Sequence, residues 1–418
     1  MSWRTAWEQA LYGPSGFYRR PEGPAGHFRT SVHVSPLFAR AIVTLLSRVD
    51  DALGNPDSLD LVDVGSGRGE LLIAVAAELP PPLAARARLT GVDVVPRPAG
   101  LPAGIGWADT PPAGTVGLLL AHEWLDDVPC EVAEVDPAGT VCQVLVNPAD
   151  GTERLGEPVT GAAAEWLHRW WPLTEPGTRA EIGTTRDVAW AAAVSSLRRG
   201  VALAVDYGHT AAARPLFGSL AGFARGAEVD PVPDGTRNVT AHVAIDAVAA
   251  AGAVAAGAVP GVVPGVVPGA EPGVVPGVVP GVPGTVPGVV GIVPGAEPGV
   301  VPGVVGIVPG AEPGVVPGTV PGIVPGVPGT VPGIVGIVPG AEPPVLYDQR
   351  TALHALGVHG TRPDRALASA DPAEYLQRLV AAGEGAELTD RAGLGAFGWL
   401  LQPVGVPAAG LLSADGQR

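Results

Sequence analysis

Leu59-Asp60-Leu61-Val62-Asp63-Val64-Gly65-Ser66-Gly67-Arg68-Gly69-Glu70-Leu71 is the stretch that decides the fold. Its first half, Leu59 to Val64, is a short and almost continuous apolar run, the pattern of a strand buried on both faces of a parallel sheet. Three alternate glycines follow, and then an apolar run from Leu71 to Leu79 that suits a helix. Glycine lets the chain turn sharply and lets its backbone approach a ligand closely, while the first turn of the next helix offers unpaired N–H groups. A strand, a glycine turn and a helix in that order therefore predict a ligand cradle.

Nicotinamide and flavin folds use a related G-x-G-x-x-G turn. Here the third glycine arrives one residue early, and an acid, Asp63, stands two residues before the first. Both features favour an S-adenosylmethionine loop over a dinucleotide loop, the plain alternative being a turn that binds nothing.

Downstream of the turn, further strand-like runs lie at Leu89 to Val95, Val116 to Ala121 and Val201 to Val205. Their alternation with helix-like segments predicts an α/β fold, a doubly wound and mostly parallel sheet with both faces covered. Cys130 to Val146 alternates more like an antiparallel pair, and Trp166, Trp170 and Trp171 fall on a predicted helix as a packing face. Upstream, Ser35 before Pro36 reads as an N-cap with Pro at the first helical position, opening an amphipathic run to Asp51. From about Pro260 to Pro344 the chain is built of Val-Pro-Gly and Ala-Glu-Pro units. Pro cannot donate to a ladder and Pro-Gly presets type II turns, so a mobile, elastin-like insert is expected. Asp348 to Leu356 and Pro372 to Ala382 then read as helices, and Gly393 to Gln402 as a closing strand. The expected organisation is a helical lead segment (1–57), a cofactor-binding core (58–255) with an inserted substrate region around 130–200, the repeat insert (256–345), and a return to the core (346–418).

The composition excludes several functions. A net charge of -16 over 418 residues argues against a phosphate-backbone footprint, so no nucleic acid partner is expected. All 25 basic residues are Arg, which removes P-loop, Schiff-base and pyridoxal-anchoring lysines. Cys130 and Cys142 fit no zinc spacing and read as reduced and structural. The first residues lack a secretory apolar run, and every long apolar stretch is broken by Pro, so a cytoplasmic protein without a membrane span is expected.

A vicinal pair of ribose hydroxyls is best held by a carboxylate at the end of the second strand, and Asp93 occupies that place. Trp107 and Asp109 follow where the adenine would lie. The block His122-Glu123-Trp124-Leu125-Asp126-Asp127-Val128-Pro129 comes directly after an apolar strand, and ligands of open α/β sheets bind beyond such strand ends. Carboxylates there suit a cationic acceptor: a guanidinium would be held by them and lose a proton as it is alkylated. An acidic solvated turn is the alternative.

With these blocks in place the chain resembles the MidA-like methyltransferases, whose eukaryotic members are mitochondrial protein-arginine methyltransferases needed for respiratory complex I assembly. The resemblance rests on Tyr12-Gly-Pro-Ser-Gly-Phe-Tyr18, Gly26-His-Phe-Arg-Thr-Ser31, the glycine turn, Glu123 to Pro129, Glu181, Asp206-Tyr207-Gly208, Val239-Thr240-Ala241-His242-Val243, and Gln349 with Leu353 and Gly357. It implies a seven-stranded methyltransferase sheet, S-adenosyl-L-methionine as cofactor, no metal, and a protein side chain, arginine, as acceptor. Carried over by position, Asp63, Gly65, Gly67, Gly69 and Asp93 would hold the cofactor, Thr30 and Ser31 would cover it, and Glu123 and Asp126 would be the catalytic acids at the acceptor; Asp109 is a cofactor-binding candidate by its place in the chain alone, a plain loop being the alternative. Departures from the family pattern stand at His27, His122 and Asn238, and Gly218-Ser-Leu220 lacks the His of the related segment. A small-molecule methyltransferase of the same fold, or a catalytically weak cofactor-binding scaffold that self-associates through the repeat, are the competing readings.

Overall fold

The computed structural model describes residues 1–20, 31–257 and 342–413, without the side chain at position 33. The Val-Pro-Gly tract up to residue 341, Thr30 and His27 lie outside the described residues. A seven-stranded sheet forms the centre, in the spatial order Val345–Asp348, Gly398–Val404, Leu197–Asp206, Thr115–His122, Leu59–Val64, Ala87–Val92 and Ile105–Ala108. Leu59–Val64 pairs in parallel with Ala87–Val92 on one side and Thr115–His122 on the other. Leu197–Asp206 continues the parallel run, and Gly398–Val404 and Val345–Asp348 close the far side antiparallel.

Alternation along each strand sends its residues to two separate cores. Leu59, Leu61, Leu118 and Leu120 pack on one face with Phe38, Ile42, Leu45 and Leu46 of the helix Pro36–Leu53. Val62, Val64, Leu119 and Ala121 pack on the other, against Trp190 of the helix Thr184–Ser195 and Val248 of the helix Ile245–Ala255. The helix Pro36–Leu53 starts as expected, with Ser35 Oγ accepting the Leu37 N–H at 3.0 Å and Pro36 in the first turn. It stops at Gly54, whose left-handed φ of 81° lets its N–H turn back onto Asp50 and Asp51.

Strands Glu131–Val135 and Val141–Val146 pair antiparallel, as their alternation predicts. They belong to a four-stranded sheet with Glu153–Pro158 and Arg179–Ile182, two strands too polar or too short to announce themselves. Trp3, Trp7 and Leu11 of the helix Trp3–Tyr12 cover one face of this sheet. Trp166 and Leu167 of the helix Gly161–Trp170, with Trp171 just past its end, cover the other, so these tryptophans form a packing face.

Several expected boundaries shift. The second strand ends at Val92, because Asp93 turns the chain and its carboxylate accepts the Val95 N–H at 3.0 Å. Asp348 ends a strand and caps the helix Gln349–Ala355 through the Thr351 N–H, so that helix starts one residue later than read. The helix begun at Pro372 runs to Leu388, and the closing strand is Gly398–Val404 because Leu394–Ala396 form a 3₁₀ turn. Among the described residues no helix is long and apolar enough to cross a membrane.

Candidate active site

Strand order reverses at Leu59–Val64, whose neighbours lead to opposite edges of the sheet. In open α/β sheets the crevice beyond such a switch point receives the ligand. Two chain segments leave the sheet there: the glycine turn after Val64, and the acidic block after His122.

Gly65, Gly67 and Gly69 all adopt left-handed backbone, with φ of 74°, 57° and 78°. At Gly65 the requirement is also steric, since a Cβ would lie 2.7 Å from Trp124 Cδ1. The N–H groups of Gly65 and Ser66 donate to the Val92 carbonyl at 2.9 and 3.1 Å, fixing the turn to the end of the second strand. Gly69 then caps the helix Glu70–Glu78. Asp63 lies beneath the turn, almost fully buried, and accepts a 2.7 Å hydrogen bond from Ser66 Oγ. Burial pushes its carboxyl up to about 7, against the lowering effect of Ser66.

Asp93 closes the cradle: one oxygen accepts the Gly67 N–H at 2.8 Å and the other the Val95 N–H at 3.0 Å. Burial raises its pKa and these N–H groups pull it back down. A carboxylate has about four lone-pair sites, and the N–H groups of Gly67, Val94 and Val95 draw on them without exhausting them, so acceptor capacity remains for a diol. Asp109 is exposed just past the strand Ile105–Ala108, whose Ala108 carbonyl accepts the Asp93 N–H at 3.1 Å. Trp107 bonds the Val95 carbonyl at 3.1 Å through its indole N–H. A turn with no Cβ atoms at three positions, a helix N-terminus and a carboxylate with spare acceptors fit the backbone approach, carboxylate and ribose of S-adenosylmethionine.

The acidic block is held more tightly than a solvated turn. Glu123 has a left-handed φ of 50°, unusual for a residue with a side chain, and its N–H donates to the Val205 carbonyl at 2.8 Å. Burial first, then Asp126 and Asp127, push its carboxyl well above the usual range, opposed by the Ser31 backbone N–H. Glu123 Oε1 lies 3.3 Å from His122 Nε2 without forming a hydrogen bond. Asp126 Oδ2 accepts hydrogen bonds from the Tyr207 hydroxyl and, at 2.7 Å, from Thr240 Oγ1, while buried Asp126 Oδ1 has no partner. The Leu125 and Asp126 N–H groups donate to Asp206 Oδ2 at 2.9 and 3.2 Å.

Asp127, adjacent in sequence, serves a different purpose. Its carboxylate accepts the Tyr18 hydroxyl and Asn238 Nδ2, the latter at 3.0 Å, and its carbonyl accepts the Tyr12 hydroxyl at 3.1 Å. Both tyrosines of the N-terminal motif are thus tied to the acidic block. Arg186, 1% exposed, is the buried cation of the site, but it donates to the main-chain carbonyls of Asp126, Val128 and His242 at 2.6, 3.2 and 2.9 Å. It therefore fixes the backbone of the block and leaves its carboxylate oxygens to other partners.

The glycine turn is thus joined to Asp93 through the Gly67 N–H and meets the segment of Glu123 and Asp126 where Gly65 approaches Trp124. Ser31, fully buried, accepts from Gln349 Nε2 through its hydroxyl at 3.3 Å and donates to Glu123 through its N–H. Asp127, Arg186, Asp206, Tyr207 and Thr240 have structural or orienting parts that no sequence spacing displays. Among the described residues no group of His, Cys, Asp and Glu has the geometry to hold a metal ion.

A doubly wound sheet with this turn and this carboxylate at its switch point is the arrangement of a protein that binds a nucleoside cofactor. Residues 37–263 match the profile of a family of putative S-adenosyl-L-methionine-dependent methyltransferases, and the chain belongs to that family. It is an enzyme whose cofactor is S-adenosyl-L-methionine. Its fold is shared by a Burkholderia thailandensis protein with S-adenosyl-homocysteine bound, at a TM-score of 0.65 and 19% identity over 100% of this chain and 90% of that one. A second structure, of an uncharacterized protein from the same organism, gives 0.64 and 20% over 100% and 91%. No curated protein matches the chain.

Proposed function

We propose that the enzyme methylates the side chain of arginine in a protein acceptor, as a MidA-like member of its family. The observation that carries this reading is the pair of buried carboxylate oxygens without hydrogen-bond partners, Glu123 Oε1 and Asp126 Oδ1, on the segment beside the glycine turn. Asp126 offers a single oxygen because Tyr207 and Thr240 occupy the other, and Glu123 Oε1 lies 3.3 Å from His122 Nε2, so a cation that met both free oxygens would span two residues. A guanidinium, with five N–H donors in a rigid fork, meets that demand better than a compact ammonium.

S-adenosylmethionine held by the glycine turn and Asp93 would supply a methyl group on a sulfonium, with S-adenosylhomocysteine as the leaving group that keeps the electrons of the carbon–sulfur bond. The protein aligns the two reactants and keeps water away. Asp126 orients the guanidinium. Glu123 takes the proton that the nitrogen loses, and its raised pKa makes it a stronger base than a solvated carboxylate.

The test is transfer of labelled methyl from S-adenosylmethionine to arginine-containing peptides, lysine-containing peptides and small guanidines. Label on the arginine side chain, lost in Glu123→Gln while S-adenosylhomocysteine still binds, is the expected result. Label on lysine or on small molecules alone would sink the proposal.

A further inference from the structure

We propose that Trp124 is a positioning residue through which a cofactor seated on the glycine turn sets the acceptor-side carboxylates Glu123 and Asp126. The inference rests on the reading that these two acids face the acceptor, but its test is independent of any acceptor.

Trp124 is half-buried and packs into the core that contains Val64, Val92, Ala121 and Leu125. Its side chain lies against Gly65: a Cβ at that glycine would stand 2.7 Å from Trp124 Cδ1 and 3.0 Å from its Cβ and Cγ. No rotation of the indole about its outer bonds would clear such a methyl, because Trp124 Cβ itself is among the atoms met. The glycine turn and the acidic block therefore touch at one residue of each.

On the other side, Trp124 is covalently flanked by the residues that matter. Glu123 holds a left-handed backbone with a φ of 50°, and its N–H is pinned to the Val205 carbonyl. Leu125 and Asp126 have their N–H groups on Asp206 Oδ2. A backbone bracketed in this way cannot move at Trp124 without rotating Glu123 or straining the Asp206 contacts. Any ligand that seats on the turn fixes Gly65, fixing Gly65 fixes the indole against it, and the indole fixes the two carboxylates. Binding of the cofactor and orientation of the acids are then one event, and the coupling is reciprocal.

The experiment is hydrogen exchange on the full chain, with and without saturating S-adenosylhomocysteine, for wild type, Trp124→Phe and Trp124→Ala. Calorimetric titration of each protein with the same ligand shows that the site is formed. In wild type and Trp124→Phe the ligand should slow exchange of the Glu123, Leu125 and Asp126 amides by at least about fivefold, the lower end of ordinary site-to-site coupling. In Trp124→Ala the ligand should bind but leave these amides unprotected relative to the ligand-free protein.

Protection retained in Trp124→Ala would overturn the proposal, as would an absence of protection in wild type. Loss of cofactor binding in Trp124→Ala would also overturn it, by assigning the indole to the cofactor site itself. Titration of wild type with ethylguanidinium in the presence of S-adenosylhomocysteine separates the two layers: no binding there counts against the acceptor reading and leaves the exchange result standing.

Discussion

Asn238 provides the sharpest quantitative check on the buried acidic block. It is 3% exposed, and its Nδ2 donates to Asp127 Oδ1 at 3.0 Å. Asn238→Asp keeps the shape but replaces a donor with a carboxylate against one whose pKa is already raised by burial and by Asp126. Two ionised carboxylates about 4 Å apart repel by about 4 kcal/mol at an effective dielectric near 20. The pair avoids that cost if the added acid, buried beside Asp127, keeps a proton of its own in addition to the one that burial already favours on Asp127. The added acid then has a folded-state pKa above its unfolded value of about 3.9, so stability is retained at low pH and lost as pH rises through the window between the two. Inside that window the loss is about 1.4 kcal/mol per pH unit. Urea unfolding of wild type, Asn238→Asp and the uncharged control Asn238→Leu at pH 5, 6, 7 and 8 measures it. A gap between wild type and Asn238→Asp that widens with pH no more than the Asn238→Leu gap, which reports only the loss of the Asn238 hydrogen bond to Asp127, would refute the reasoning.

Further outcomes follow from the same geometry. Glu123→Gly should abolish methyl transfer yet stabilise the fold by about 1 kcal/mol or more in thermal unfolding, because it relieves a left-handed side-chain residue. Transfer should require ionised Glu123, so its rate should fall on the acid side at a pH above the ordinary carboxylate range, and this limb should vanish in Glu123→Gln. Gly65→Ala should prevent S-adenosylhomocysteine binding in calorimetry, since the new methyl meets Trp124 at 2.7 Å on a backbone with a φ of 74°. Tyr207→Phe frees Asp126 to turn, and should lower kcat for an arginine peptide by about tenfold, the worth of one charge-assisted hydrogen bond, with cofactor affinity unchanged.

The parts of the molecule that could be read in the sequence are those whose physics is local. Leu59 to Leu71 carries a strand, a turn and a helix in consecutive residues, and Asp93 follows from the length of one βαβ unit. Glu123 was visible because it follows a strand whose eight residues are buried almost throughout. What could not be read depends on residues far apart in the chain. Asp127 joins Tyr12, Tyr18 and Asn238 across 109 to 115 positions, and nothing in its neighbours separates it from Asp126. Arg186 sits in an alanine-rich helix and looks like a surface residue until its three main-chain acceptors are seen. The hydrogen bond from Gln349, more than 300 residues later, to the Ser31 hydroxyl is likewise invisible in the sequence around Ser31. The polar strand Glu153–Pro158 lacks an apolar alternation, because it lies at the edge of its sheet.

The central claim is that the turn Gly65–Gly69 with Asp93 forms the cofactor site. Calorimetric titration of the purified protein and of Asp93→Ala with S-adenosylmethionine tests it most directly. The account predicts saturable one-to-one binding by wild type, weakened by about tenfold or more in Asp93→Ala with the loss of hydrogen bonds to a charged acceptor. Equal affinities in the two proteins would place the cofactor elsewhere and contradict it.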